Sequence, residues 1–169
     1  LSYNGLSSTI PDSFTRLVKL SHLSLWENRM TGHIPDGIGG LVSLITFDLE
    51  VNMFSGPLPS SIGELKLLEE VIFNSNTFSG SIPAEIGDAS NLIDWGMNDN
   101  MVTGSLPLEL GKLSNLESVD FGFNSLTGSL PAEISGWVNI ATLWLSTHEL
   151  SGCIPALGAL LTLDTLTLS

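Results

Sequence analysis

The feature of this sequence that most constrains its fold is a repeat with a period of 24 residues. Asparagine recurs at this interval, and so does proline in the context (S/G)-x-(I/L)-P. The asparagines are Asn4, Asn28, Asn52, Asn76, Asn100 and Asn124, and the prolines are Pro11, Pro35, Pro59, Pro83, Pro107, Pro131 and Pro155. A fixed period of this size predicts a repeat architecture, in which each repeat is a small structural unit that buries its apolar face only by stacking on its neighbours.

Apolar residues also recur at fixed places before each asparagine, in the pattern L-x-x-L-x-L-x-x-N. Before Asn28, for example, they are Leu20, Leu23 and Leu25. The alternation x-L-x-L-x predicts a short strand with one buried face. Stacked copies of this strand, about 4.8 Å apart, would form a parallel sheet over a continuous core.

The asparagine follows the strand, at the point where the chain turns and backbone groups would otherwise lie unpaired inside the stack. Its carboxamide can both donate and accept hydrogen bonds there, which predicts a ladder between adjacent turns. His148 lies 24 residues after Asn124 and therefore takes the next ladder position. The predicted ladder consists of Asn28, Asn52, Asn76, Asn100, Asn124 and His148.

The second half of each repeat predicts a turn on the opposite side. In (S/T)-G-x-(I/L)-P the glycine gives the backbone freedom and the proline fixes φ. The following x-x-(I/L)-G-x-L segment is too short for a long helix and favours a short helical or 3-10 turn. The sequence therefore predicts an α/β repeat solenoid, with a parallel sheet on one side and short helical or 3-10 segments on the other.

We expect residues 1–169 to form a single solenoid segment of about seven 24-residue repeats. The chain begins and ends within a repeat, so we expect the caps to be missing and further repeats or caps to cover both ends. The last repeat is one residue short, with PALGALLTL in place of PAEISGWVNI. For this reason we expect 145–169 to be the least regular part of the molecule.

The net charge limits the partners that the chain can bind. Its 18 acidic and 5 basic residues give a formal charge of −13. This charge makes binding to nucleic acid or to an anionic membrane surface electrostatically unfavourable, and it favours a partner with a basic patch. No apolar run approaches the ~20 residues of a membrane span, so we expect no direct membrane insertion in this segment.

The consensus L-x-x-L-x-L-x-x-N-x-L-(S/T)-G-x-(I/L)-P-x-x-(I/L)-G-x-L-x-x resembles the plant-type leucine-rich repeat over the whole chain. The (S/T)-G-x-(I/L)-P element is the specific part of the resemblance. The resemblance implies a curved solenoid with a concave parallel sheet and a second small strand near this element. It also implies an extracellular or cell-surface location, as in the ectodomains of receptor-like kinases and receptor-like proteins and in polygalacturonase-inhibiting proteins.

In repeat solenoids specificity lies in the variable positions of the concave sheet, because the apolar positions maintain the fold. The repeat places acidic side chains at the centre of these columns, flanked by two tryptophans, and it places no lysine or arginine there. Two other tryptophans, Trp95 and Trp137, occupy core leucine positions. The candidate ligand-binding residues are Trp26, Asp48, Glu50, Glu70, Ile72, Asn74, Asp94, Asn98, Asp120 and Trp144. Aromatic anchors around an electronegative centre suit a basic peptide or protein surface.

Carboxylate pairs are the main candidates for catalysis. Asp48 with Glu50, or Glu70 with Asp94, fall on the same or neighbouring strands and could form pairs of the glycosidase kind. A shallow concave face, however, lacks the enclosed pocket that tunes the pKa values of catalytic acids. We therefore predict a non-enzymatic protein with no cofactor.

Two further groupings invite a chemical interpretation. The first is a calcium site of Asp94, Asp99 and Asp120, but their spacing matches no EF-hand or repeat-in-toxin loop, and we predict no metal site. The second is His148 with the single cysteine, Cys153, which takes a variable position in the (S/T)-G-x-(I/L)-P element. These two residues belong to different columns of the repeat, which argues against a catalytic Cys–His pair.

The function predicted from sequence is a protein- or peptide-binding segment of a longer secreted or cell-surface protein, with its ligand on the acidic concave face. One alternative is a structural scaffold or spacer within a larger assembly. Another is an ice-binding surface, because Ser81, Ser105 and Ser129 recur in the position before (I/L)-P. His33 and Pro57 occupy the same position in other repeats and interrupt that row.

Overall fold

A computed structural model describes residues 1–168, which form fourteen short strands and six 3-10 helices. In chain order the elements are β1 (Ser7–Ser8), η1 (Asp12–Arg16), β2 (His22–Ser24), β3 (Arg29–Gly32), η2 (Ile38–Gly40), β4 (Thr46–Asp48), β5 (Met53–Gly56), η3 (Ser60–Glu64), β6 (Glu70–Ile72), β7 (Thr77–Gly80), η4 (Ala84–Asp88), β8 (Asp94–Gly96), β9 (Met101–Gly104), η5 (Leu108–Lys112), β10 (Ser118–Asp120), β11 (Ser125–Gly128), η6 (Ala132–Gly136), β12 (Thr142–Trp144), β13 (Glu149–Leu150) and β14 (Thr165–Thr167). None of the helices in this range is long and apolar enough to span a bilayer.

The strands form two parallel sheets of seven strands each. The even-numbered strands, β2 to β14, form the concave sheet, and the odd-numbered strands, β1 to β13, form the minor sheet. Each strand pairs with the equivalent strand of the next repeat, so that Glu70 lies opposite Asp94 and Val71 opposite Trp95. The 3-10 helices form a third row, the outer turns. This architecture confirms the predicted solenoid fold class.

The core lies between the concave sheet and the outer turns. The middle residue of every concave strand from β2 to β12 is buried, whereas its neighbours on either side face outward, as the period-2 pattern predicts. Trp95 and Trp137 are both 1% exposed, which confirms their predicted core positions. Edge-to-face aromatic pairs fill the centre, with ring centroids 4.9 Å apart for Phe47 and Phe73 and 4.8 Å for Trp95 and Phe121.

At Gly63 and Gly87 neighbouring outer turns approach each other more closely than a side chain would allow. A Cβ atom on Gly63 would lie 2.0 Å from the carbonyl oxygen of Glu85, and one on Gly87 would lie 2.3 Å from that of Glu109. Only glycine fits where one backbone passes another at this distance. The glycine after (I/L) is therefore a packing requirement at Gly39, Gly63, Gly87 and Gly111, whereas Thr15 and Ser135 take the equivalent position in two other repeats.

The structure changes character at its C-terminal end. Between β13 and β14 the described chain contains turns where every earlier repeat has a 3-10 helix. Leu166 in β14 is 39% exposed, whereas the equivalent Leu143 in β12 is fully buried. These differences agree with the irregularity expected for 145–169, of which Ser169 lies outside the described residues.

Candidate ligand-binding face

The ladder asparagines fix the backbone that carries the concave face. In the central repeat, Asn76 accepts a hydrogen bond on Oδ1 from the backbone N–H of Phe54 at 3.0 Å. Its Nδ2 donates to the carbonyl oxygens of Leu49 at 2.9 Å and of Phe73 and Asn74 at 3.2 Å each. The same four kinds of contact occur at Asn28, Asn52, Asn100 and Asn124. Each carboxamide thus joins two repeats through groups that would otherwise be buried without partners.

His148 lies in the same register but makes fewer contacts. Its Nδ1 accepts a hydrogen bond from the backbone N–H of Leu126 at 3.4 Å, which is the bond that an asparagine Oδ1 accepts elsewhere. Its Nε2 is buried and has no hydrogen-bond partner among residues 1–168. Burial lowers the pKa of His148, and the nearby backbone of Asn124 and Phe121 and the charge of Asp120 oppose this shift only in part.

The residue before each ladder position has a left-handed backbone that the sequence analysis missed. Its φ angle lies between 51° and 62° at Glu27, Val51, Ser75, Asp99, Phe123 and Thr147. Non-glycine residues rarely adopt this conformation, and branched or bulky ones are strained in it. No glycine marks these positions, so the only sequence indication was their place between the strand and the asparagine.

Asp48 is held at one end of the concave face by hydrogen bonds within the protein. Its Oδ2 accepts from the hydroxyl of Ser24 at 2.6 Å, and its Oδ1 accepts from the backbone N–H of Glu50 at 3.0 Å. The Ser24 hydroxyl also lies 2.8 Å from that of Ser2. Asp48 and Glu50 are therefore linked through the backbone of Glu50, while the Glu50 carboxylate contacts another residue.

Four of the candidate residues form one hydrogen-bonded chain across the sheet. The side-chain amide of Asn74 donates to Oε1 of Glu50 at 3.3 Å, and its Oδ1 accepts from the backbone N–H of Asn98 at 2.9 Å. The side-chain amide of Asn98 in turn donates to Oδ1 of Asp120 at 3.2 Å. The sequence placed these residues in two neighbouring columns, and the structure brings them into contact.

Glu70 and Asp94 form the electronegative centre of the face. They lie directly opposite each other on β6 and β8, and both are partly buried. Burial raises the pKa of Asp94 most, and the charges of Glu70 and Glu117 raise it further. A hydrogen bond with Ser118 opposes this shift. Glu117, which precedes β10, belongs to this centre although the sequence analysis did not include it. Ile72, a half-buried candidate residue, ends the same strand as Glu70.

The two tryptophans predicted for the open face differ in their surroundings. Trp26 is half-buried and packs against Tyr3, with ring centroids 5.8 Å apart. Trp144 is 41% exposed. Only Trp144 presents much of its ring to solvent.

The alternative groupings do not assemble in the described residues. Within 1–168 no three histidine, cysteine or carboxylate side chains lie close enough to hold a metal ion, so Asp94, Asp99 and Asp120 do not form the calcium arrangement. Cys153 is an exposed free thiol. His148 uses its Nδ1 in the ladder bond to Leu126.

Comparison with known proteins identifies the family. The Leucine Rich Repeat family model matches residues 19–41 and 115–137. Among solved structures, the chain resembles the Arabidopsis receptor kinase HAESA in complex with the peptide hormone IDA and the co-receptor SERK1. In that comparison the identity is 36%, the TM-score is 0.95, and the alignment covers 98% of this chain and 28% of HAESA.

The chain is similar to two further solved structures. The PEPR1–AtPEP1 structure is 38% identical with a TM-score of 0.94, covering 98% of this chain and 23% of that chain. The ectodomain of the plant membrane receptor kinase GASSHO1/SCHENGEN3 from Arabidopsis thaliana, in complex with CASPARIAN STRIP INTEGRITY FACTOR 2, is 37% identical with a TM-score of 0.87, covering 89% of this chain and 18% of that chain.

This chain therefore spans less than a third of the length of each of these three receptor chains. A comparison with curated protein sequences finds no significant match. The fold of this chain, with its two parallel sheets and 3-10 outer turns, matches that of the receptor kinase structures at TM-scores of 0.94 and 0.95. The chain belongs to the leucine-rich repeat family, and its repeats are of the plant type.

Proposed function

We propose that this chain is a non-enzymatic segment of a longer secreted or cell-surface protein and that it binds a basic peptide or protein surface on its concave sheet. The observation that carries the proposal is the charge of that sheet. Its strands contain Asp48, Glu70, Asp94 and Asp120 but no lysine or arginine. A face of one charge attracts a partner of the opposite charge and excludes partners of its own.

The placement of the basic residues supports this proposal. Lys66 donates from Nζ to the backbone oxygens of Gly63 at 2.7 Å and of Asp88 at 2.8 Å, on the side of the outer turns. Lys112 forms a 3.0 Å ion pair with Asp88 on the same side. Both cations lie on the outer turns, and none of the five basic residues in 1–168 belongs to a concave strand.

The raised pKa of Asp94 gives a second line of support. Burial is the largest cause of this shift, and the charges of Glu70 and Glu117 further disfavour the charged form of the carboxyl group. A lysine or arginine side chain placed beside Asp94 would relieve this repulsion and favour ionisation. Binding of a basic ligand should therefore release protons near the ordinary pKa range of a carboxyl group.

The similar structures support a peptide or protein as the partner. The HAESA structure contains a peptide hormone and a co-receptor, and the GASSHO1/SCHENGEN3 ectodomain, from a membrane receptor kinase, is in complex with CASPARIAN STRIP INTEGRITY FACTOR 2. We infer the extracellular location of this chain from the same relatives.

The test compares neutralisation of the concave face with neutralisation of the outer turns. We expect Glu70→Gln with Asp94→Asn to weaken binding of an acetylated tri-lysine peptide about tenfold in calorimetry at low ionic strength. The matched control is Glu85→Gln with Glu109→Gln, which removes the same charge from the outer turns. Equal losses in the two double variants would mean that net charge, and not the concave face, determines binding.

A further inference from the structure

Trp144 and Asp120 form a pair on the concave sheet. Asp120 ends β10 and Trp144 ends β12, and the two residues are register partners in adjacent parallel strands. Val119 and Leu143, which precede them, are fully buried. Because side chains alternate along a strand, Asp120 and Trp144 both project from the concave side, on strands about 4.8 Å apart.

Only one oxygen of the Asp120 carboxylate accepts hydrogen bonds from residues in 1–168. Its Oδ1 accepts hydrogen bonds from the backbone N–H of Gly122 at 2.9 Å and from the side-chain amide of Asn98 at 3.2 Å. Its Oδ2 accepts no hydrogen bond from any residue in 1–168. Both donors bind Oδ1, which restrains the carboxylate and leaves Oδ2 available to a ligand.

Trp144 supplies an exposed aromatic ring at the register position beside Asp120. With 41% of its surface exposed, it differs from Trp26, which Tyr3 partly covers. An exposed aromatic ring beside an available carboxylate oxygen matches a planar cation, which can stack on the ring and donate to the oxygen at the same time.

We propose that Trp144 and Asp120 form an arginine-binding subsite, in which the guanidinium group of an arginine in the peptide partner stacks on the indole and donates to Oδ2 of Asp120. This inference rests on the proposed function, since it names the side chain that the concave face prefers. Lysine carries the same charge but lacks the planar group that stacks, so the subsite favours arginine. It also places the anchored residue of the partner at β10 and β12, toward the C-terminal end of the sheet.

The first measurement compares two probe peptides of equal charge on the unmodified chain. Acetyl-Arg-Arg-Arg-amide and acetyl-Lys-Lys-Lys-amide are titrated by calorimetry at low ionic strength. We expect the arginine peptide to bind about fivefold more tightly, which corresponds to one cation–π contact at a partly desolvated site. A tri-citrulline peptide, which keeps the planar group without the charge, should not bind detectably.

The second measurement assigns this preference to the subsite. Trp144→Ala should abolish the difference between the arginine and lysine peptides, and Asp120→Asn should weaken binding of both. Trp144→Gln provides a second variant if the alanine variant unfolds, as monitored by circular dichroism. The controls are Phe123→Ala, which removes an exposed aromatic ring outside the concave strands, and Glu85→Gln; both should retain the preference.

The outcomes separate the subsite from the general proposal. Equal affinity for the two peptides, or a preference that survives loss of Trp144, overturns the subsite and leaves binding of basic partners standing. Binding of neither peptide overturns both. If Phe123→Ala abolishes the preference for the arginine peptide as fully as Trp144→Ala does, the preference does not arise from Trp144 and Asp120, and the subsite is overturned.

Discussion

The central and the C-terminal parts of the asparagine ladder show what the ladder position requires. At Asn76 one planar carboxamide accepts from one N–H and donates to three carbonyl oxygens, while being only 8% exposed. At His148 the imidazole makes one bond of 3.4 Å and leaves a buried nitrogen without a partner in the described chain. Both side chains are polar and of similar reach, so the difference lies in the number and direction of their donors.

The backbone around the two positions differs in the same sense. The strands of the minor sheet next to Asn76, β5 and β7, each contain four residues, whereas β13 beside His148 contains two. The turn that follows β13 also lacks the 3-10 helix found in each earlier repeat. The ladder position that satisfies fewer backbone groups thus coincides with the less regular repeat.

Removal of a central ladder residue should have the largest effect. Asn76→Ala would leave the N–H of Phe54 and several carbonyl oxygens buried without partners, at about 1 to 3 kcal/mol for each group left unpaired. We expect the free energy of unfolding to fall by about 4 kcal/mol, measured by urea denaturation. Asn91→Ala is the control, because Asn91 is exposed and donates only to the carbonyl of Lys66 at 2.9 Å. A loss of similar size at Asn91 would refute the importance of the buried ladder.

Replacing His148 by asparagine should change the free energy of unfolding in the opposite direction and by a smaller amount. His148→Asn supplies an Oδ1 acceptor for Leu126 and a second N–H for the neighbouring carbonyls, and it removes a buried unpaired nitrogen. We expect the protein to gain about 1 to 2 kcal/mol in the same denaturation experiment. An unchanged or lower stability would show that the C-terminal backbone is adapted to histidine.

The change of stability with pH should be smaller than either of these effects, because the His148 ring is partly exposed. Burial lowers the pKa of His148 below its ordinary value of about 6.5, so the unfolded chain binds a proton more readily than the folded chain. Stability is therefore fully present above about pH 6.5 and is lost as the pH falls through the pKa of the folded state. Protonation also removes the Nδ1 acceptor. Unfolding curves between pH 7.5 and pH 5, at about half-unit steps, should show this loss in the native chain.

His148→Asn is the matched control for that dependence. The other titratable groups are unchanged in this variant, including Asp120, whose charge acts on the imidazole, and Glu149, which follows it in the chain. The difference in stability between the two proteins should therefore grow as the pH falls. A constant difference across this range would exclude His148 as the titrating group.

The fold could be predicted from sequence because the same pattern of apolar, turn-forming and ladder residues recurs along the chain. The alternating apolar residues, for example Val71 between Glu70 and Ile72, fix which face of a strand is buried. The left-handed position could not be predicted in this way. Residues as different as Val51 and Phe123 occupy it, since the ladder bonds on either side hold the backbone there whatever the side chain.

The concave face was predictable in its columns but not in its contacts. The register places Asp48, Asn74 and Asp120 correctly on one side of the sheet. Whether a carboxylate is hydrogen-bonded within the protein or free to contact a ligand depends on side-chain conformations and on neighbours from other repeats, such as Ser24 beside Asp48. The covering of Trp26 by Tyr3 is of the same kind, because Tyr3 projects from a left-handed residue in the repeat before it. Similar residue types therefore acquire different roles.

The close approach of the outer turns at Gly63 and Gly87 also determines the shape of the opposite face. Backbone hydrogen bonds hold the strands of the concave sheet at a fixed spacing. The arc of the molecule therefore depends on how thin its outer edge is. A methyl group at Gly63, facing the carbonyl of Glu85, would act as a wedge on that edge and bend the stack more tightly. The distance between the two ends of the concave sheet is thus controlled by residues on the opposite side of the molecule.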